Sequence, residues 1–209
     1  MAMFDGHIKN LCEIPADLLR PLAERLADLT ANDSGYWERH DLIKPNKFGP
    51  FYNNTQHVVL AFPARLWRAQ GARYFDAWSD WRDVVEPVIA HVTAVYGYKE
   101  GRTNRIMLAR LLPGRVIGKH IDSDDSSELP HKIHVPLATN PRVEFWEEDR
   151  VYHLRTGQAY EVNNRIIHGG ANYGEEPRVH LIFDYFDGSA ISAGDELERL
   201  YRASLGSPS

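Results

Sequence analysis

The sequence predicts a mainly β protein that begins with helices and ends in an antiparallel barrel or two-sheet jelly roll. Two observations lead to this fold class. The first half holds segments with helical spacing of apolar residues, and the second half holds short β-rich runs with turn residues about every ten positions. At 209 residues, the chain suits one structural domain with a substantial core.

Two helical segments are predicted in the first half. Residues 14–30 place leucines at three- and four-residue spacing, although Pro21 predicts a kink or a later start. Residues 74–96 form the second helical region, which we expect to bend near Pro87. Between them, residues 57–62 are apolar and β-branched enough for a buried strand. Residues 1–102 are therefore predicted to be a helical part that packs on the barrel.

The sequence pattern changes from helical to strand-like at about residue 103. Eight runs rich in Ile, Val, Leu and aromatic side chains alternate with turn residues from there on. The predicted strands are 105–112, 116–120, 131–137, 142–146, 151–154, 158–162, 165–168 and 178–186. Residues 103–188 are therefore predicted to be the catalytic core, and residues 189–209 an amphipathic turn with a frayed tail.

Composition excludes several function classes. The net charge is −5, without a Lys/Arg block, so nucleic acid is not a predicted partner. Cys12 is the only cysteine, which excludes an internal disulfide and a thiolate metal cluster and suits a reducing cytosol. The first residues do not read as a signal peptide and no apolar run is long enough to span a bilayer. We expect a soluble cytoplasmic domain without a membrane partner; the oligomeric state is not predicted.

Three residues of the β-rich half form a candidate metal site. His120 and Asp122 share one face of a strand because alternate side chains point the same way. His168, from a later strand, completes a set of two imidazoles and one carboxylate, which favours Fe(II) for oxygen chemistry. Three ligands on one face of an octahedron leave places for a bidentate co-substrate and dioxygen. Since ten histidines produce accidental pairs, His-x-Asp alone is weak evidence.

The residues that follow His168 strengthen the metal-site prediction. Gly169-Gly170 is predicted to be a turn that permits close approach of a ligand or backbone. Arg178 begins a strongly apolar strand, and an arginine pointing into a barrel is costly unless it meets an anion. A guanidinium that binds a carboxylate through two hydrogen bonds would hold the distal end of 2-oxoglutarate. Without the other candidate residues, Arg178 would be interpreted as an arginine at the start of a strand that reaches solvent.

Five features occur in a specific order along the β-rich half of the chain. They are Leu112-Pro113-Gly114, His120-x-Asp122, the strand of residues 131–137, His168 and Arg178. The stretch from 105 to 186 thereby resembles the aspartyl/asparaginyl β-hydroxylase family, which includes bacterial cis-proline hydroxylases. The resemblance implies a double-stranded β-helix of the jelly-roll, cupin-like type, with Fe(II), 2-oxoglutarate and O2. By motif position, His120, Asp122 and His168 are implied iron ligands. Arg178 is the implied anchor of 2-oxoglutarate, and His134 an implied contact of this co-substrate.

Two features qualify the resemblance. Some family members lack the acidic ligand, whereas Asp122 predicts a full facial triad here. Relatives often have arginine where this chain has Lys132, and lysine cannot reproduce a planar bidentate contact. Residues 123–128 are predicted to be an acidic loop that is solvated or that selects an amine-bearing substrate.

The predicted function is hydroxylation of a C–H bond in an amino acid, or in an Asp, Asn or Pro residue of a peptide, by an Fe(II)- and 2-oxoglutarate-dependent dioxygenase. Three alternatives stay open at this point. They are a cupin-like metalloenzyme that does not use 2-oxoglutarate, a non-catalytic binding barrel, and a scaffold role for the helical part. Binding of 2-oxoglutarate separates the first from the prediction, and metal content separates the second.

Overall fold

A computed structural model describes residues 6–45, 53–65, 68–122 and 130–189, the side chains of 30, 64, 65 and 68–71 excepted. Two antiparallel sheets form the molecule. In the larger, seven-stranded sheet the strand order is β1-β9-β6-β11-β4-β2-β3, and in the four-stranded sheet it is β5-β10-β7-β8. The cavity between them is lined from both sheets, and helices cover the outer face of the larger one. This is the predicted jelly roll, the architecture of a double-stranded β-helix.

The strands of the C-terminal half are close to their predicted bounds. They are β4 (Gly101–Leu111), β5 (Val116–His120), β6 (His131–Ala138), β7 (Val143–Glu147), β8 (Arg150–Tyr152), β9 (Gln158–Val162), β10 (His168–Asn172) and β11 (Arg178–Asp187). One prediction was wrong: β10 begins at His168 instead of ending there. Gly169-Gly170, predicted to be a turn, lies within this strand because β10 pairs closely with β5 on one side and β7 on the other.

The N-terminal part is less helical than predicted. Its elements are β1 (Lys9–Glu13), α1 (Ala16–Asn32), α2 (Tyr36–Leu42), β2 (Thr55–Arg65), β3 (Arg68–Tyr74) and α3 (Trp78–Thr93), followed by a short 3-10 turn (Ala94–Tyr96). Pro21 and Pro87 lie inside α1 and α3. The prediction missed β1 and β3 and made β2 too short. These strands are completed by pairing with distant strands, β9 for β1 and β4 for β2, a signal that local sequence does not carry.

The strands of the large sheet separate an apolar outer face from a cavity-lining inner face. In β11, Leu181 and Phe183 are fully buried in the main core cluster, which also includes Trp81 of α3 and Leu22 of α1. Arg178 and Ile182, on the other face of β11, line the cavity instead. The helices therefore hold the sheet from outside and leave its inner face available for polar residues.

None of the helices in the described ranges is both long and apolar enough to cross a membrane. The prediction for residues 189–209 lies outside the described residues, Ser189 excepted. The same holds for the predicted acidic loop of residues 123–128.

Candidate active site

The three predicted metal ligands converge at one end of the cavity. His120 is the last residue of β5, and antiparallel pairing places His168, the first residue of β10, directly opposite it. Asp122 follows β5, and its Oδ1 lies 3.6 Å from His120 Nε2 and 3.8 Å from His168 Nε2. The three donor atoms all lie within 4.8 Å of one another. Two imidazoles and a carboxylate at this spacing suit a divalent transition metal.

The hydrogen bonds of the two histidines leave one nitrogen of each ring available for a metal. His120 Nδ1 lies 2.8 Å from the carbonyl oxygen of Gly118, and His168 Nδ1 lies 2.9 Å from that of Ile166. Because a carbonyl oxygen only accepts, Nδ1 carries the proton and donates in both rings. The lone pair of each Nε2 is left for a metal, and the carbonyl fixes the orientation of the ring.

Asp122 is held in place by its backbone and by its outer carboxylate oxygen. Its amide donates to the carbonyl oxygen of Asn164 at 3.0 Å. Oδ2 lies 3.3 Å from Lys132 Nζ and accepts from Asn164 Nδ2 at 3.4 Å. Burial alone would raise the pKa of Asp122, but Lys132 and His120 outweigh it and hold the pKa well below its usual range. The carboxylate is therefore ionised, with Oδ1 left toward the histidines.

Lys132 bridges Asp122 to a buried ion pair. Its Nζ lies 3.2 Å from Oδ1 of Asp184, which is fully buried. The other oxygen of Asp184 lies 3.2 Å from Arg105, whose guanidinium stacks 5.1 Å from the ring centroid of Phe62. The family pattern cast doubt on the role of Lys132; here it contacts two carboxylates, one of them the candidate ligand Asp122.

Arg178, the first residue of β11, lines the same cavity as the three candidate ligands. It is 2% exposed, and burial lowers its pKa to about 10, so it is cationic at neutral pH. Its Nε has no hydrogen-bond partner, and in the described part of the chain no carboxylate lies within ion-pair distance of it. A buried cation of this kind is costly unless an anion compensates it, so the cavity suits an anionic ligand.

Two buried histidines of the larger sheet are neutral. His134 lies on β6, with its Nδ1 3.2 Å from Nδ1 of His180. Burial, together with the charge of Arg178, holds the pKa of both rings well below the usual range. His180, interpreted from sequence as a structural histidine, is 1% exposed. Of the two, His134 lines the cavity beside Arg178.

Sequence reasoning missed several cavity residues: Lys44, His57, Phe62 and Arg105. All lie on β2, on the turn after α2, or at the start of β4. Lys44 is 3% exposed and its Nζ donates to Asp41 Oδ1 at 2.8 Å and to the carbonyl of Thr55 at 3.3 Å. The alternation of residues 55, 57 and 59 and of 105, 107 and 109 along their strands was the available signal.

The close approach of β5 and β10 depends on glycine. A Cβ on Gly169 would lie 2.7 Å from the carbonyl oxygen of Ile117, and one on Gly170 would lie 2.7 Å from that of Glu144. Such distances are too short for any side chain. The Gly-Gly pair thus allows His168 to sit against both neighbouring strands, which is the close backbone approach expected of glycine.

A family model described as aspartyl/asparaginyl beta-hydroxylase matches residues 55–187. This chain belongs to that family. The matched range begins at β2 and ends with β11, so it contains His120, Asp122, His134, His168 and Arg178 but excludes Lys44.

Individual relatives agree with the family and the fold. L-proline cis-4-hydroxylase of Rhizobium meliloti (strain 1021) is 27% identical over 78 residues, which span 37% of this chain and 28% of that relative. The structure of a 2OG-Fe(II) oxygenase family oxidoreductase from Burkholderia pseudomallei has a TM-score of 0.50 at 14% identity, covering 64% of this chain and 66% of the other.

The non-heme alpha ketoglutarate dependent epimerase SnoN from nogalamycin biosynthesis is also similar in structure. Its TM-score is 0.53 at 14% identity, covering 87% of this chain and 76% of the other. At these identities the two structures bear on the fold alone.

Proposed function

We propose that this aspartyl/asparaginyl β-hydroxylase family member is an Fe(II)- and 2-oxoglutarate-dependent dioxygenase. It hydroxylates a C–H bond of an amino acid, or of an Asp, Asn or Pro residue in a peptide. In the overall reaction one atom of dioxygen enters the hydroxyl group of the product. The other enters succinate, which forms from 2-oxoglutarate with release of CO2. The cytoplasmic location that Cys12 suggests stays a prediction.

The observation that carries the proposal is Arg178. A metal site alone is compatible with many cupin-like enzymes. A buried arginine without a carboxylate partner in the described residues, in the same cavity as the metal ligands, supports a second ligand that is anionic. The planar guanidinium matches a carboxylate with two parallel hydrogen bonds. In this assignment Arg178 binds the distal carboxylate of 2-oxoglutarate.

The other residues divide the remaining tasks. His120, Asp122 and His168 would hold Fe(II) through Nε2, Oδ1 and Nε2. His134 would contact the co-substrate as a neutral ring, since its pKa is held low by burial. When bound, iron, 2-oxoglutarate and dioxygen supply the oxidising chemistry, and the chain supplies ligand geometry and orientation.

Part of the cavity wall is apolar. Val59, Met107, Phe145, Val162 and Ile182 line the same cavity as Arg178 and the candidate metal ligands. Polar groups in such a wall act in a low-dielectric environment, where a fixed cation attracts a carboxylate more strongly than in water. The substrate C–H bond would be held beside the metal ligands, with its position set by this wall.

The test is release of succinate by purified protein reconstituted anaerobically with Fe(II) and then supplied with 2-oxoglutarate and air. A panel of amino acids and short Asp-, Asn- and Pro-containing peptides serves as substrate. We expect at least one to stimulate succinate release and to gain one oxygen atom by mass spectrometry. Normal iron binding without any 2-oxoglutarate binding would favour the cupin-like alternative, and loss of both would favour a non-catalytic barrel.

A further inference from the structure

A second histidine contacts the cavity histidine His134 from within the larger sheet. Pairing of β6 with β11 sets His134 opposite Ile182, which makes His180 its diagonal neighbour on the inner face of the sheet. The two imidazole rings are nearly perpendicular, with an interplanar angle of 77° and centroids 5.4 Å apart. Of the two, only His134 lines the cavity. Any effect of His180 on a ligand must therefore pass through His134.

The contact between the two rings has room for one proton. Nδ1 of His134 lies 3.2 Å from Nδ1 of His180, and burial together with the charge of Arg178 holds the pKa of both rings low, so both are neutral. Two N–H groups cannot face each other at that distance, and two lone pairs would make no hydrogen bond. One ring therefore donates from Nδ1, and the other accepts at Nδ1 and carries its own proton on Nε2.

The surroundings of the two Nε2 atoms decide which ring donates. Nε2 of His180 is buried and has no hydrogen-bond partner among the described residues. If His180 were the acceptor, this atom would carry a proton, and orphaned buried N–H groups are rare in folded proteins. Donation from Nδ1 of His180 avoids that N–H group.

The cavity favours the same arrangement. Because Nδ1 of His134 contacts His180, the nitrogen that this ring can offer to a cavity ligand is Nε2. Arg178, a buried cation in the same cavity, favours an anionic ligand. An N–H group at Nε2 of His134 can donate to an anion, whereas a lone pair there would repel it.

We propose that His180 is a positioning residue: its Nδ1–H donates to Nδ1 of His134 and thereby fixes Nε2 of His134 as a hydrogen-bond donor to the anion that Arg178 binds. The inference rests on the proposed function where it takes that anion to be 2-oxoglutarate. His134 and Arg178 then present only donors to the ligand, and the hydrogen bond from His134 adds direction to the attraction of the cation.

The first experiment locates the proton on His134 in the wild-type protein. Zinc takes the place of iron because it is diamagnetic, and nitrogen chemical shifts of isotope-labelled histidine show which ring atom carries the proton. The spectrum of His134→Gln identifies the signals of His134 by their loss. We expect the proton on Nε2 of His134 and on Nδ1 of His180. The reverse pattern would overturn the proposal.

The second experiment measures 2-oxoglutarate binding by calorimetry in the anaerobic, iron-loaded protein. His180→Leu and His180→Asn have nearly the same shape, but only Asn has an N–H group for Nδ1 of His134. We expect H180L to weaken 2-oxoglutarate about 10–100-fold, the range of one hydrogen bond to a charged group, and H180N to retain more of the affinity. His91→Leu is the control, since His91 lies outside the cavity with its Nε2 3.0 Å from the carbonyl oxygen of Glu13.

Three results of the binding experiment would contradict the role of His180. They are equal 2-oxoglutarate affinity in wild type and H180L, equal losses in H180L and H180N, and a parallel loss of iron binding in H180L, which would indicate a merely structural role. Failure of the proposed function gives a different result. Wild-type protein would then bind no 2-oxoglutarate, while the nitrogen shifts would still decide where the proton lies.

Discussion

His168 and His120 lie directly opposite each other on β10 and β5, with their ring centroids 4.3 Å apart. Each ring is oriented by a backbone carbonyl two residues before it in the chain. The strand register thus sets the separation of the two imidazoles, and local hydrogen bonds set their rotation.

Replacement of His168 by alanine should abolish tight iron binding. The loss should exceed the roughly 10–100-fold effect typical of losing an outer partner, because a ligand itself is removed. Iron affinity is measured by competition with a chelator under anaerobic conditions. The matched control is His153→Ala, since His153 lies outside the cavity with its Nδ1 3.0 Å from the carbonyl of Val143. Equal iron affinity in H168A and H153A would contradict the ligand assignment.

Gly169→Ala should weaken both the fold and the metal site. The added Cβ would lie 2.7 Å from the carbonyl oxygen of Ile117, so β10 must move away from β5 and take His168 with it. Forced overpacking of this kind costs about 1–3 kcal/mol in the free energy of unfolding. Chemical denaturation measures it. Gly118→Ala is the control, because a Cβ there meets nothing within 4 Å; similar losses in both variants would refute the steric argument.

Lys132→Met should reduce iron affinity by about 10–100-fold. Its ammonium holds the outer oxygen of Asp122 at 3.3 Å, and Asp184 at 3.2 Å balances its charge. Removing the ammonium also removes its repulsion toward the metal ion, but Asp184 already balances that charge. The lost orientation of the Asp122 carboxylate should therefore have the larger effect on iron affinity. Lys132→Arg should keep more affinity than Lys132→Met. Lys119→Met, at an exposed lysine bonded to a backbone carbonyl, is the control. Unchanged or tighter iron binding by K132M would disprove this role.

Much of the barrel was readable from the sequence because its signals are local. The bounds predicted for β5 and β9 from their strand-like runs are those of the structure. Turn residues on either side of each run marked where the strand begins and ends. The order His120, Asp122, His168, Arg178 could also be predicted, since each lies at the end or start of a strand-like run or, for Asp122, two residues beyond one. The register that brings His168 opposite His120 could not, because pairing of β5 with β10 joins residues about fifty positions apart.

The cavity wall was harder to predict for the same reason. Arg105 appears in the sequence as one polar residue in an apolar strand, and only the position of β4 between β11 and β2 turns it toward Asp184 and Phe62. Lys44 lies in a turn whose approach to the cavity depends on how α2 packs against β2. Gly169-Gly170 was wrongly predicted to be a turn because glycine pairs are common in turns. In this structure the pair permits close packing of neighbouring strands.

Glu147→Gln should stabilise the protein above pH 7. Glu147 is fully buried, and burial raises its pKa from 4.5 to about 7. The folded protein therefore keeps a proton that the unfolded chain has released, so the free energy of unfolding falls as pH rises from about 4.5 to 7. The change amounts to roughly 3 kcal/mol at most.

Melting temperatures of wild type and E147Q between pH 5 and pH 8 measure this effect. E147Q should show a flatter pH profile and a higher melting temperature at pH 8, since Gln keeps an oxygen for the amide of Asn163. Glu175→Gln, at an exposed carboxylate elsewhere in the chain, is the control. Parallel profiles for wild type and E147Q would contradict the buried-proton account.

Arg178→Met should remove the binding of 2-oxoglutarate while leaving iron in place. Its guanidinium is the buried cation assigned to the distal carboxylate, and its Nε has no hydrogen-bond partner among the described residues. Arg178→Lys should bind 2-oxoglutarate weakly, because a lysine supplies the charge but not the planar pair of donors.

Equilibrium dialysis of 2-oxoglutarate against wild type, R178M and H168A, each with and without Fe(II) in the absence of oxygen, tests the central claim most directly. We predict tight, iron-dependent binding by the wild type alone. R178M should hold iron normally but bind 2-oxoglutarate at least about 100-fold more weakly. Equal 2-oxoglutarate affinity in wild type and R178M, or binding that ignores iron, would contradict the assignment of this cavity.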